Sequence, residues 1–414
     1  MRICVFNCLR GEVVNELLKK NQRIFVAGSS NEPSGLLSEL RTLDLPSDLE
    51  FVQFPLSGYN SVDFTQFNDS SNLTTFFMTP SLKNADSSRL HFLPMQMRAV
   101  FDYLEDNIDV AMFQVACDRD GNLRLGPNVD FVEAALRSAS VRIAELNKSL
   151  VAPLGCMSID PEQIDFLYES ERPLFQMPAP ELDVAAKAIG TLVSDLIADG
   201  SCIQTGIGAI PTAILSQLSN KNDLGMHGGL VDDAGMNLIT AGNLSGRSKT
   251  LDRDKHVVGM ALGSQKLYDW LGSQQDVLFK GANYTHEVSV IRQIDDFVSI
   301  NSAVEIDLYG QVNAEFAGGR QLSGTGGSVD FMRAAKSSKR GKSIVAMNAT
   351  AKNGSVSRIV PKVEMVTALR TDVDIVVTEF GVADLKNLSI KKRADALIEI
   401  AAPQFREELR RSKV

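Results

Sequence analysis

Two stretches of this chain share one pattern, and that pattern restricts the fold more than any other feature. At Arg23 to Ala27 the run RIFVA reads as a buried strand, Gly28 to Pro33 (GSSNEP) as a turn, and Leu36 to Leu43 as a helix. At Cys202 to Thr205 the run CIQT is a second short strand, followed by the glycine-bearing turn Gly206 to Pro211 (GIGAIP) and a helix over Thr212 to Leu218. A strand that hands over to a helix within a few residues is the unit of a parallel sheet, because parallel neighbours need a crossover. Further β runs begin at 256 (HVVGMALG), 297 (FVSINSAVEIDL), 343 (SIVAMNA) and 374 (DIVVTEF), with helical stretches between several of them. The expected fold class is α/β, with two similar α/β domains built on largely parallel sheets.

A chain of 414 residues is too long for one ordinary core. The seam is expected in ERPLFQMPAPELD, where Pro173, Pro178 and Pro180 cannot share a helix or a central strand. This gives domains 1–178 and 179–414. After the seam, Asp183 suits the N-cap of a helix whose apolar face is Ile189, Leu192, Val193 and Leu196, with Gly200 ending it. Before it, Val132, Ala135, Leu136, Ala139, Ile143 and Leu146 fall on one helical stripe.

Charge excludes several functions. Lys plus Arg number 42 against 51 for Asp plus Glu, a net charge of −9, so the surface repels nucleic acid and anionic membrane. A phosphate-bearing ligand needs a local basic pocket. The five cysteines, Cys4, Cys8, Cys117, Cys156 and Cys202, lack CxxC spacing and read as reduced thiols. The N-terminal MRICVFNCLRGEVV holds too short an apolar run for a signal peptide, and no segment is apolar for long enough to span a bilayer. The expected location is the cytoplasm. His91, His227, His256 and His286 show no HxxxH or HExxH spacing, so no metal is expected, and no GxSxG elbow occurs.

Chemistry has two natural places. The turn at Gly206 and Gly208 follows a strand and opens a helix, where backbone N–H groups attract phosphate or an oxyanion. Pro211 stands where a dinucleotide fingerprint needs its third glycine, so NAD is not expected. Near residue 320, Gly318, Gly319, Gly324, Gly326 and Gly327 precede Arg333, Lys336, Lys339, Arg340 and Lys342, a pairing that suits a polyanion such as coenzyme A. A flexible loop followed by a solvated helix face is the plain alternative. Asn283, Tyr284, Thr285 and His286 form a polar run after an apolar strand, another position that often lines sites.

The runs ANYTHEVSVI, FVSINSAVEIDLYGQVNAE, SGTGGSVDFMRAAKSSKRGKSIVAM, GSVSRIVPKV and DIVVTEFGVADLKNLSIKKRADALIEIAAPQFREEL resemble, in order and spacing, the C-terminal domain of acetyl-CoA hydrolases and 4-hydroxybutyrate CoA-transferases. VACDRDGNLRLGPNVDF resembles a proline-containing segment of the same family's N-terminal half, with Cys117 and Asp118 among the departures. The resemblance implies a class I CoA-transferase-like pair of α/β domains, acyl-CoA and a small carboxylate as substrates, and a homodimer or higher homo-oligomer. It further implies attack by a glutamate on the acyl-CoA carbonyl, and ligand contacts at Gly206, Gly208, Gly324, Gly326 and Gly327; Gly229, Asn283 and Lys336 are further candidate substrate or CoA contacts.

One departure matters. In LGMHGGLVDDAG the family's catalytic glutamate falls on Gly229, which has no carboxylate. Three substitutes are open. Glu32 lies in the first strand-to-helix turn, where α/β sites gather, and is the leading candidate nucleophile or base. Asp232, with Asp233 beside it, is placed to orient a water. His227, which matches the family histidine, is a candidate general base. The expected function is CoA transfer between small carboxylic acids or hydrolysis of a short acyl-CoA. The alternative is a CoA-binding protein with little or no catalysis.

Overall fold

Strands covered on both faces read as unbroken apolar runs, and the runs of this chain assemble accordingly. The computed structural model describes residues 10–412, so Cys4, Cys8 and the first residues of the N-terminal run lie outside the described residues. Contacts divide the chain into two units. The first comprises residues up to Pro178 together with Gly259–Tyr284, so the chain leaves this unit and later returns to it.

The first unit is built on an 8-stranded sheet. Its strands are β1 (Arg23–Val26), β2 (Glu50–Gln53), β3 (Asn72–Thr75), β4 (Leu90–Phe92), β5 (Val110–Cys117), β6 (Leu123–Leu125), β7 (Val141–Asn147) and β8 (Phe166–Ser170). Their order is β4-β3-β2-β1-β5-β7-β8, with β6 attached to β5. Every pairing along that order is parallel, while β6 runs antiparallel. All of β5 except Cys117 is buried, as a central strand with both faces covered must be.

Side chains alternate across β1. Ile24 and Val26 pack into one core with Leu36, Leu37 and Leu40 of α1 (Ser34–Leu40). Phe25 and Ala27 face the other way, toward Met97 of α2 (Met97–Asp106) and Val132 of α3 (Val132–Ser138).

The helical stripe expected from Val132 to Leu146 is corrected here. Helix α3 stops at Ser138, and Ile143 and Leu146 belong to β7, bonded to β5 on one side and β8 on the other. A short apolar run satisfies both periodicities, and here pairing to two neighbouring strands decides for β.

The second unit comprises Ala179–Val258 and the chain from Thr285 onward. Its 6-stranded sheet holds β9 (Cys202–Thr205), β10 (Gly225–Met226), β11 (Phe297–Asn301), β12 (Lys342–Ala346), β13 (Ile375–Thr378) and β14 (Gly381–Asp384). The order is β10-β9-β11-β12-β13-β14, parallel but for the antiparallel edge β14. Its helices include α4 (Val184–Asp195), α5 (Ala209–Ser216), α6 (Asp233–Ala241) and α7 (Ser328–Ser337). No described helix is long and apolar enough to cross a membrane.

The two sheets wind alike. In the first, β2 lies on one side of β1 and β5 on the other; in the second, β10 and β11 flank β9 in the same way. Each sheet therefore has a point where the winding reverses and leaves a crevice beyond the strand ends, which is where ligands of such sheets bind.

Asp183 caps α4 as its position predicts, its Oδ1 accepting from Ala186 N at 2.7 Å. Loss of that bond in Asp183→Ala should lower stability by about 1 kcal/mol. Urea unfolding checks this, with a change in midpoint and none in slope.

Candidate active site

In the first unit, the turn after β1 emerges at the reversal point between β1 and β5, and it carries Glu32. Ser29 in this turn has φ +56°, a left-handed conformation uncommon for a residue with a side chain. Asn60 holds it there, its Oδ1 accepting from Ser29 N at 2.7 Å and from Leu56 N at 2.8 Å.

Glu32 is only partly exposed, and Gln53 at the end of β2 donates from Nε2 to its Oε1 at 3.0 Å. Burial pushes its carboxyl from 4.5 up to about 7, against the opposing pull of hydrogen bonds from Gln53 and Asn60 and the charge of Arg172. A carboxyl poised near neutrality can serve as nucleophile or base.

The turn is anchored by a buried network. Glu145, wholly shielded within β7, accepts from Ser170 Oγ and Arg172 Nη2, each at 2.6 Å, and from Leu36 N in α1 at 2.9 Å. Arg172 also donates from Nη1 to Ser34 Oγ at 2.6 Å. The sequence reading missed Gln53, Asn60, Glu145 and Arg172. Glu145 alone left a signal, a charge between the apolar Ala144 and Leu146 of β7.

In the second unit, the Gly206–Gly208 turn stands at the reversal point between β9 and β11. Gly208 has φ +110° and a Cβ there would meet nothing within 4 Å, so backbone conformation is what calls for glycine. The loop Gly324–Gly327 leads into α7, and here crowding decides. A Cβ on Gly327 would lie 2.3 Å from His286 Nε2.

Gly229 adjoins the same histidine, but less closely. Its Cβ would stand 3.7 Å from His286 Nε2 and 3.9 Å from Phe331 Cε2, ordinary contacts. The structure thus gathers Gly229, Gly327, His286 and Phe331 in one place. His286 packs against the Phe331 ring with centroids 4.4 Å apart, and its Nδ1 is hydrogen bonded to Thr285 Oγ1 at 2.8 Å. Burial pushes the imidazole down to about 3, so it is neutral at working pH. His286 was visible in sequence only as part of a polar run.

Other singled-out residues sit differently. His227 is fully buried, its ring edge-on to Phe297 with centroids 6.5 Å apart, and its backbone N donates to Ile203 O. Asp232 caps α6, its Oδ1 accepting from Gly235 N at 2.8 Å, and burial raises its carboxyl above the ordinary value. Asn283, in the segment that returns to the first unit, lies in the helical turn Ala282–Thr285, its Oδ1 2.8 Å from where a Cβ of Gly281 would stand.

The basic run is engaged inside its own unit. Lys336 Nζ contacts Asp374 Oδ1 at 2.5 Å from the last turn of α7, about 12 Å along the helix from the glycines at its start. Arg333 pairs with Asp372, Lys339 with Asp295, and Arg340 with Asp296, while Lys342 donates to Leu196 O. What the loop itself offers an anion is backbone N–H. Among the described residues no group of three or more His, Cys, Asp or Glu side chains is placed to hold a metal ion.

Residues 263–413 match the acetyl-CoA hydrolase/transferase C-terminal domain. The chain is 38% identical to a 4-hydroxybutyrate coenzyme A transferase of Clostridium kluyveri, over 95% of this chain and 94% of that protein. It is likewise 38% identical to a butyryl-CoA:acetate CoA-transferase of Anaerostipes caccae, over 73% and 71% of the two chains. Among solved structures, RipA from Yersinia pestis superposes with a TM-score of 0.91 at 30% identity, covering 98% of this chain and 96% of that one.

The two glycines beside His286 should respond unequally to alanine. Gly229→Ala should change stability by less than about 1 kcal/mol, and Gly327→Ala should cost about 1–3 kcal/mol because a buried ring must move. Denaturant melts of the two variants compare them directly.

Glu32 should leave a mark on stability against pH. Its folded-state carboxyl titrates near 7 and an ordinary one at 4.5, so the native chain holds the extra proton between those values. The contribution is fully present below pH 4.5 and is lost as pH rises through 7. Glu32→Gln, which cannot ionise, should gain on the wild type over that window by an amount on the order of 3 kcal/mol. Thermal or urea melts at pH 4.5, 6 and 8 measure the gap, and a constant gap contradicts the assignment.

Proposed function

Because the chain belongs to the acetyl-CoA hydrolase/transferase family, we propose that it handles short acyl-CoA thioesters with Glu32 as its nucleophile. The observation that carries the assignment is the placement of Glu32: a largely desolvated carboxylate at a strand-end reversal point, held by Gln53 and Asn60, in a chain whose position 229 is glycine. Desolvation raises the reactivity of a carboxylate that must attack a carbonyl, and a value near 7 leaves about half of it ionised at neutral pH.

In this reading a Glu32 carboxylate oxygen attacks the thioester carbonyl. The C–S bond breaks, CoA leaves as thiolate, and an acyl-glutamyl anhydride remains. The thiolate then attacks the glutamyl carbonyl of that anhydride, expelling the acyl group as a carboxylate and leaving a glutamyl-CoA thioester. A second carboxylate reverses the path and completes transfer, whereas water completes hydrolysis. Within the second unit, the amides of Gly324–Gly327 at the start of α7 and of Gly206–Gly208 are backbone donors suited to a phosphate or another anion. The same reading makes the protein a cytoplasmic homodimer or larger homo-oligomer that uses CoA as substrate, without metal or NAD.

Purified protein incubated with acetyl-CoA or butyryl-CoA should gain the mass of CoA less water, and tryptic mapping should place the adduct on Glu32. Glu32→Gln should lose the adduct and at least about 10³-fold in kcat. An adduct on another residue removes Glu32 from the role. Binding of thioesters with neither adduct nor product returns the chain to the non-catalytic alternative, in which Gly229 marks a lost activity.

A further inference from the structure

A cavity of about 40 Å³ lies inside the first unit, over the sheet face to which Phe25 and Ala27 point. Val52 of β2 is the partner of Phe25, so Gln53 points to the opposite face, and the cavity is a place apart from the Glu32 carboxyl that Gln53 holds. Most of the wall is apolar, with Met97, Val132 and Met260 beside the rings of Phe25, Phe54 and Phe131. The Phe54 and Phe131 rings stand 5.3 Å apart.

Ser29, Asn128 and Asp130 are the polar members of the lining. Ser29 Oγ contacts Met260 Sδ at 3.3 Å, and Asn128 is engaged at both ends, donating from Nδ2 to Gly28 O at 3.2 Å and accepting at Oδ1 from Asp130 N at 3.0 Å. Asp130 differs from both. It is 2% exposed and its Oδ1 has no hydrogen-bond partner, a costly state for a buried polar atom. No lysine, arginine or histidine lines the cavity, so the fold supplies no counter-charge there, and burial alone pushes the carboxyl up to about 8.

An orphaned carboxyl on a ring-lined apolar wall is complementary to one kind of small molecule. The partner must bring a donor to Oδ1 and a positive charge that lets the carboxyl ionise. Its remainder must be apolar, because phenyl and thioether groups form the rest of the wall. The rings add to the attraction for a cation held within about 6 Å of their centroids. A calcium or magnesium ion needs about six oxygen ligands, which a wall made chiefly of carbon does not offer.

We propose that this cavity binds a short primary alkylammonium ion whose nitrogen donates to Asp130 Oδ1 and whose carbon end packs against Phe54, Phe131 and Met97. The inference goes beyond the acyl-CoA reading and stands without it. The size limit follows from volume: each water-sized group occupies roughly 10–15 Å³ of such space, so the cavity holds about three non-hydrogen atoms. Methylammonium and ethylammonium are within that limit and butylammonium exceeds it. The preference for a cation over an alcohol of the same shape follows from charge, since a hydrogen bond between ions is roughly twice as strong as a neutral one. The carboxyl is already desolvated by the fold, so forming the pair requires only the ammonium to leave water.

The test is isothermal titration and thermal melting of the whole chain with ethylammonium chloride, set against sodium chloride, ethanol and butylammonium chloride. At about ten times its Kd, ethylammonium should raise the Tm of the wild type by about 2–4 °C, while sodium chloride and ethanol at the same concentration should not. Butylammonium should bind at least about tenfold more weakly, by overpacking. Asp130→Asn keeps the shape of the side chain but cannot ionise, and it should weaken ethylammonium binding at least about tenfold. Val132→Leu keeps Asp130 and narrows the cavity, so it should weaken ethylammonium more than methylammonium.

Equal Tm shifts with ethylammonium and sodium chloride overturn the proposal, and so do equal shifts with ethylammonium and ethanol, which would make the cavity a place for water or a hydroxyl. Undiminished ethylammonium binding in Asp130→Asn overturns it as well. Circular dichroism verifies folding. If Asp130→Asn does not fold, Val132→Leu and the ethanol comparison in the wild type decide. Thioester turnover enters none of these readouts, so failure of the Glu32 reading leaves the test intact.

Discussion

Glu145 stands in β7 with its carboxylate wholly removed from water, and its place is tenable because three donors converge on it. One is the backbone N–H of Leu36, in the first turn of the helix that follows the Glu32 turn. Another is Arg172, which in turn holds Ser34. Glu145 is wholly shielded but Arg172 is 38% exposed, so losing one partner costs less than the roughly 3–5 kcal/mol of a pair buried on both sides. The network thus does more than stabilise. It ties β7, the chain beyond β8 and the start of α1 to one point, and so fixes where Glu32 can be.

The same winding appears in both sheets, yet the two reversal points carry different chemistry. In the first unit the turn after β1 presents a carboxylate whose proton affinity is set by desolvation and two amide side chains. In the second unit the turn after β9 presents glycines and an exposed Ile207, and the approach to α7 presents a glycine pressed against a neutral His286. One turn presents an ionisable carboxyl, the other backbone N–H. A repeated scaffold can divide labour in this way because the sheet needs only the strands, and the turns beyond them remain free to differ.

Legibility varied with the range of the interaction. The βα units at Arg23 and Cys202, the Asp183 cap and the apolar strands could be read locally, because propensity, capping and turn chemistry act over a few residues. The stripe from Val132 to Leu146 could not, since Ile143 and Leu146 suit either periodicity until β5 and β8 pair with that segment. The cations after Gly327 looked like a polyanion site, but each meets an acid or a carbonyl that is distant in sequence. His286 shows in sequence only as a member of a polar run, and Asn60 carries no local mark. Their significance comes from burial and from partners that sequence spacing does not reveal.

The amino-acid sequence by itself determined the α/β class, the repeated strand-turn-helix pattern, the glycine loops and the absence of a carboxylate at position 229, because each depends on residue identity or on neighbours within a turn or two. Tertiary structure alone decided which carboxyls are desolvated, which cations are already paired, and which glycines are compelled by crowding rather than by φ. Those properties depend on atoms brought close from distant parts of the chain, and on the water that their approach excludes.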